Sequence, residues 1–324
     1  MSLRVGVIGL GFGKEHLREY LRLQDVEVAA VCDLNEDALN DPLVTECGAR
    51  IYRNTEEMFS REQLDAVSIC TPPSTHKPLT VLAAQRGVHV LCEKPMAASL
   101  EDCDAMIQAC KESGVKLMIG FKKRFAPAYV ELKRLIRSEF GLPFSIFYRY
   151  VCYGGVEKKW FWRDGGPIVE NTAHAADILR FLAGDVQRVY AEGDNFLAEG
   201  RNEIDTAVFT LRFESGCVGA VRAGCWAKGP LKREHLIAYF PKATVEIEGP
   251  FDSPIQLRVW RDEQDALEEF RFENAGGIEG EIEHFVECVR DNKQPRVTGE
   301  DGRAALAICL AVKKSVLTNR PVML

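Results

Sequence analysis

Three clusters in this chain combine residue types and spacings suited to chemistry. The first is Gly9-Leu10-Gly11-Phe12-Gly13-Lys14, followed by Leu17, Tyr20 and Leu21 at helical spacing. Gly9 permits a tight turn, and Gly11 lacks the Cβ that would collide with a pyrophosphate. A helix starting here offers its N–H groups and positive dipole end to the anion. In G-x-G-x-x-G the third glycine falls at position 14, which is Lys14; Gly13 comes one residue early. Lys14 either neutralises phosphate or points to solvent. Asp33 follows 22 residues after Gly11. It either accepts hydrogen bonds from ribose hydroxyls or caps a helix. Its charge would repel a 2′-phosphate, and Leu34, Asn35 and Glu36 supply no arginine to receive one. The spacing therefore predicts NAD in preference to NADP.

The second cluster is Glu93-Lys94-Pro95, just past the apolar run Val88–Cys92. Ligands gather at the carboxyl ends of strands in open α/β sheets. An ammonium there can bond a reacting hydroxyl and stabilise charge developing on its oxygen. Burial beside a cationic ring lowers a lysine pKa from about 10.4. The alternative is an ordinary surface lysine. The third cluster runs from Gly165-Gly166-Pro167 to Asp177. Glu170, His174 and Asp177, spaced i, i+4 and i+7, line one face of a predicted helix, and Ile178, Leu179 and Leu182 line another. A histidine, with an ordinary pKa of about 6.5, suits proton transfer near neutrality. The alternative is a solvated helix face with a satisfied histidine. Trp160-Phe161-Trp162-Arg163, just upstream, either wall a sugar site with aromatic faces or belong to the core or an interface.

The elements that must position these residues follow from apolar periodicity. Val5–Ile8, Val28–Cys32, Ala66–Cys70, Val88–Cys92 and Lys116–Ile119 read as buried parallel strands separated by amphipathic helices. That alternation predicts an α/β fold with a doubly wound parallel sheet over residues 1–121. Beyond Phe121, a helix at Pro127–Arg137 leads into alternating runs at Phe144–Tyr153, Thr206–Phe213, Cys217–Gly224 and Thr244–Ile247. Residues 122–324 are thus expected to form a second α/β domain around a large, mainly antiparallel open sheet. Its closing helices are expected near Ile278–Asp291 and Glu300–Thr318, the last placed to pack back on the first domain. An apolar face of Thr206–Phe213 and Cys217–Gly224 left uncovered would serve self-association.

A chain of 324 residues suits two such domains. The formal net charge of −7 argues against nucleic acid or an anionic membrane as partner. No apolar run approaches the roughly 18 residues that span a bilayer, and no signal-peptide pattern precedes the first strand. Eleven cysteines without a C-x-x-C pair predict reduced thiols in a cytoplasmic protein. No ligands cluster at short spacing, so no metal is expected.

Thr71-Pro72-Pro73-Ser74-Thr75-His76 and Gly87 through Glu93-Lys94-Pro95 resemble the glucose–fructose oxidoreductase / inositol dehydrogenase family, also named with the rhizopine-catabolism protein MocA. The likeness extends to Gly120-Phe121, Arg124-Phe125 and Pro127, to Gly165–Gly184, and to Glu283-His284-Phe285 through Gly302. It implies a Rossmann domain in which Gly9, Gly11, Phe12, Gly13, Asp33, Thr71, Pro72, His76, Glu93 and Lys94 hold NAD. A cis peptide before Pro95 would turn Lys94 toward the nicotinamide. The family's helix supplies an acid and, four residues later, a histidine, which implies Glu170 and His174 as catalytic partners of Lys94. Glu170 replaces the commoner Asp, and Thr172 stands where glycine is frequent. Arg124, Trp162, Arg163, Asn171 and Asp177 fall to the substrate. The implied reaction is hydride transfer between a nicotinamide and a carbinol or carbonyl carbon of a sugar, cyclitol or related polyol, in a homodimer or homotetramer. Two alternatives stand beside it. One is glycoside hydrolysis through transient oxidation, elimination and re-reduction. The other is a dinucleotide-binding regulator, which would need neither Lys94 nor His174.

Overall fold

A computed structural model describes residues 2–151, 158–196, 203–226, 233–250, 253–262, 266–273 and 275–324, without the side chain of Arg233. The chain divides into two compact units. The first comprises Met1–Phe121 and Ile278–Arg303, the second Lys122–Gly277 and Ala304–Leu324.

Six short strands form the sheet of the first unit: β1 (Leu3–Ile8), β2 (Val26–Cys32), β3 (Arg50–Tyr52), β4 (Ala66–Ile69), β5 (His89–Glu93) and β6 (Leu117–Gly120). Helices α1 (Gly13–Arg22), α2 (Glu36–Leu39), α3 (Pro42–Glu46), α4 (Thr55–Arg61), α5 (His76–Gln85) and α6 (Leu100–Glu112) alternate with them. Every strand pair is parallel, in the order β3-β2-β1-β4-β5-β6. Both faces of such a sheet are covered, so β4 is buried throughout and is apolar but for Ser68. Strand β3 escapes that reading because it is a three-residue edge strand with only Tyr52 buried. The strand order reverses between β1 and β4, which places a ligand crevice at their carboxyl ends.

The second unit carries α7 (Pro127–Leu135), α8 (Lys159–Arg163), α9 (Gly166–Glu170) and α10 (Thr172–Ala183). Its sheet contains β7 (Ser145–Val151), β8 (Val186–Asp194), β9 (Thr206–Phe213), β10 (Val218–Gly224), β11 (Arg233–Phe240), β12 (Ala243–Pro250), β13 (Gln256–Arg261), β14 (Ala266–Arg271) and β15 (Val322–Met323). The order is β14-β13-β12-β11-β7-β10-β9-β8-β15, antiparallel except where β7 meets β10. In-register neighbours Ala191, Phe209, Val221, Tyr148, Leu236, Ile247 and Leu257 make one buried row across this sheet. Helix α10 packs on β7, and α9 on β9 and β10. On the other face Phe147, Val208, Val218, Tyr239, Trp260 and Leu267 are exposed. Tyr153, the end of one expected strand, lies outside the described residues.

Two expectations need correction. The tail helix α11 (Ile278–Arg290) belongs with the first unit, not with residues 122–277. Its apolar stripe of Ile282, Phe285, Val286 and Cys288 is buried, and the helix packs on α1. Helix α12 (Gly299–Thr318) starts in the first unit and continues in the second. Secondly, the single helix expected through Glu170, His174 and Asp177 is interrupted at Asn171, which ends α9 and opens α10. Glu170 therefore does not share a continuous helical stripe with the other two.

Candidate active site

In the first unit, Gly9, Asp33, Thr71 and Lys94 follow β1, β2, β4 and β5, all at the carboxyl edge of one sheet. Gly9 has φ +86°, and a Cβ there would lie 2.7 Å from the carbonyl oxygen of Cys70. Around Gly11 a Cβ would meet nothing within 4 Å, so the loop is open on that side. A Cβ on Gly13 would sit 3.0 Å from Val7 and 3.2 Å from Cys70. Gly13 thus performs the helix-to-strand packing that the fingerprint assigns to its third glycine, one position early. No side chain caps α1 at Phe12, whose half-exposed ring meets that of His16 edge-on at 5.7 Å.

Asp33 ties β2 to this loop: Leu10 N–H donates to Oδ2 at 2.5 Å, and Asn35 N–H to Oδ1 at 2.8 Å. It is not the helix cap, since Asn35 caps α2 by accepting from Asp37 N–H. Lys14 is paired within the first unit. Its ammonium donates to Asp41 at 2.6 Å, and that bond holds the Asp41 carboxyl below the usual carboxylate range. Arg53, beyond β3, is held by Glu36.

Thr71 accepts a bond from the Thr75 hydroxyl at 2.7 Å, and Pro72 follows it at the loop surface. His76, expected near the cofactor, is wholly buried. Its Nε2 lies 2.7 Å from the Thr71 carbonyl and its Nδ1 3.1 Å from that of Pro95. Burial pulls its pKa down, against the opposing pull of the carbonyls. With these bonds His76 braces the loops after β4 and β5. The Lys94-Pro95 peptide is cis, and Lys94 is half-buried with its backbone N–H donated to Glu93 Oε2 at 3.1 Å. Glu93 itself is buried; with His16 and Glu281 it places three ligand-type atoms within 4.8 Å of one another. These are the described residues close enough to share a metal ion. Short spacing does not reveal them, because they come from β5, α1 and α11.

In the second unit His174 is buried on α10, its ring edge-on to Tyr150 of β7 at 6.5 Å. Glu170 and Asn171 are half-buried, and the Asn171 Nδ2 has no hydrogen-bond partner among the described residues. Arg124 and Asp177, both read as substrate contacts, are instead spent on each other. Arg124 donates through Nε at 2.9 Å and Nη2 at 2.5 Å to a carboxylate without exposed surface. Trp162 joins Phe161 in a buried cluster against which Trp160 and Trp226 pack. Arg163 is exposed and pairs with Asp164 at 2.6 Å. A second buried network is not apparent from local sequence: Lys123 pairs with Glu234, which also accepts from the Tyr129 hydroxyl at 2.8 Å. Burial, reinforced by Glu234, raises Tyr129 well above the ordinary phenol range and keeps it a donor. The Lys123 ammonium lies 5.1 Å from the Tyr150 ring that borders His174.

The Arg124–Asp177 pair yields a test. Asp177→Ala leaves the Arg124 charge buried without this partner, and such losses cost about 3–5 kcal/mol. Urea unfolding should show that loss. Parental stability with only a raised KM would return Asp177 to the substrate.

Comparison with known proteins agrees with this architecture. Residues 3–121 match the oxidoreductase family with an NAD-binding Rossmann fold, and residues 129–246 match the GFO/IDH/MocA C-terminal domain. The chain is 28% identical to the myo-inositol 2-dehydrogenase of Thermotoga maritima, over 99% of this chain and 98% of that protein. It is 31% identical to the D-apiose dehydrogenase of Paraburkholderia graminis, over 98% of this chain and 88% of that protein. The aldose-aldose oxidoreductase of Caulobacter crescentus, solved with glycerol, has a TM-score of 0.88 at 26% identity, covering 100% of both chains. By both its halves, then, the chain belongs to the GFO/IDH/MocA oxidoreductase family and is an NAD(P)-dependent dehydrogenase.

Proposed function

We propose that the protein oxidises a secondary alcohol of a sugar, cyclitol or related polyol, or reduces the matching ketone, with NAD as the partner. The observation that carries this reading is the open glycine loop before an uncapped α1, with Lys94 on the same edge of the sheet. A dinucleotide fits that cradle: Gly11 leaves room for the pyrophosphate and α1 presents N–H groups to it. When bound, the nicotinamide supplies the hydride acceptor or donor. Asp33 would accept from the ribose hydroxyls, with Phe12, Thr71, Pro72 and Glu93 completing the surroundings. Lys94 donates a hydrogen bond to the reacting oxygen and stabilises its developing charge. His174 takes the hydroxyl proton in oxidation and returns it in reduction, with Glu170 orienting it. The curated relatives act on inositol and apiose by name, which supports a polyol class.

Self-association is the second part of the proposal. Six exposed apolar residues from Phe147 to Leu267 share the uncovered sheet face, and a second copy of the chain is the occupant that would bury them. Free thiols at all ten described cysteines, most of them buried, support a cytoplasmic location. Among the described residues no helix is long and apolar enough to cross a membrane.

Fluorescence titration should show NADH binding about tenfold or more tightly than NADPH, and Asp33→Ala should narrow the gap. Equal binding of the two by the parent protein defeats the cofactor assignment. With a polyol panel read at the NADH absorbance band, Lys94→Ala and His174→Ala should each lower kcat by about 10²-fold while sparing NADH affinity. The double variant should lose less than the product of the two, and Glu170→Gln should fall between them and the parent. Near-parental turnover by His174→Ala across pH 6–9 removes it as the proton carrier. Light scattering should show a dimer or tetramer that Phe147→Glu dissociates; a monomeric parent at micromolar concentration overturns the interface.

A further inference from the structure

The Glu93 carboxylate is buried at the end of β5, directly before Lys94, and its surroundings are specific. From β6, Gly120 makes room for it, since a Cβ there would lie 2.6 Å from Oε1. From α1, His16 Nε2 lies 3.1 Å from the same oxygen, and Oε2 accepts the Lys94 backbone N–H at 3.1 Å. His16 Nδ1 in turn lies 3.1 Å from the Ser68 hydroxyl of β4, which is 2.8 Å from the Tyr20 hydroxyl. Burial raises the Tyr20 pKa, so Tyr20 remains a protonated donor.

One assignment of donors and acceptors to these contacts uses each group once. Tyr20 donates to Ser68, Ser68 to His16 Nδ1, His16 Nε2–H to Glu93 Oε1, and Lys94 N–H to Glu93 Oε2. Tyr20, His16 and Ser68 have no exposed surface, so the chain is shielded from competing water. We infer that His16 is a positioning residue. It fixes the Glu93 carboxylate, which pins the Lys94 amide and so sets the direction in which the Lys94 side chain leaves β5. His16 thus acts on Lys94 through the Glu93 carboxylate. This inference rests on the role proposed above for Lys94.

Two variants of His16 separate position from packing. His16→Phe keeps a ring but removes both hydrogen bonds; His16→Gln keeps an N–H for Glu93 Oε1. Three readouts are needed: kcat on the best polyol of the panel, NADH affinity, and the rate of Lys94 modification by an amine reagent, followed by peptide mass spectrometry without cofactor. His16→Phe should lower kcat by about tenfold or more, as ångström-scale misplacement does, with NADH affinity nearly retained. It should also change the Lys94 labelling rate severalfold, and His16→Gln should restore much of both. If His16→Phe fails to fold, Gly120→Ala presses on the same carboxylate from β6 and should give the same two changes. Parental labelling of Lys94 in the folded variants overturns the inference, whatever the activity. Should Lys94→Ala itself keep parental kcat, the catalytic reading falls, while the labelling rates still decide whether His16 sets Lys94.

Discussion

At the carboxyl edge of the six-stranded sheet the chain passes so close to itself that side chains have no room. The Gly9 backbone rides on the Cys70 carbonyl, Gly13 lets α1 start against β1, and Gly120 gives its space to the Glu93 carboxylate. Interiors pack at crystal-like density, so each of these gaps is already filled by a neighbour. The loop that opens at Gly11 can approach a phosphate because the residues on either side of it are pressed into the fold. Asp33 completes the arrangement by drawing the Leu10 amide toward β2.

Each unit also solves the problem of buried charge, and the solutions differ. The second unit uses direct ion pairs, Arg124 with Asp177 and Lys123 with Glu234, whose charges cancel within hydrogen-bond distance. Such pairs add little net stability, yet removing one member is costly, so they hold the chain to one arrangement. The first unit pairs its buried Glu62 with Arg4 and Arg50 and also gathers an imidazole and two carboxylates, with the Cys70 thiol pushed well above its ordinary range chiefly by burial. The second unit's ion pairs anchor α10, which carries His174, and β11, where Glu234 lies opposite Tyr150 of β7; the carboxylate cluster underlies Lys94.

What the sequence disclosed and what it concealed divide along physical lines. Parallel strands buried on both faces produce unbroken apolar runs, so the first sheet was legible apart from its short edge strand. The glycine loop and Asp33 were legible because their spacing is local and has a mechanical reason. Strand β14 was not, since five of its six residues are exposed and no alternation survives. Contacts between distant residues were equally hidden. Arg124 meets Asp177 across 53 residues and Lys123 meets Glu234 across 111, and neither distance leaves a trace in local pattern. Residues read as ligands by type, Arg124 and Asp177 among them, were already spent on each other.

The first unit is assembled from two stretches of chain separated by 156 residues, Lys122 through Gly277. Synthesis runs from the N-terminus, and domains ordinarily fold as they emerge. Here the segment bearing Ile282, Phe285 and Val286 leaves the ribosome only after the whole insert. Until then the face of α1 that packs on α11 stands bare, with apolar surface open to water. The nascent chain therefore carries an incomplete nucleotide domain while strands β7 to β14 of the second sheet are being made, and β15 closes that sheet later still.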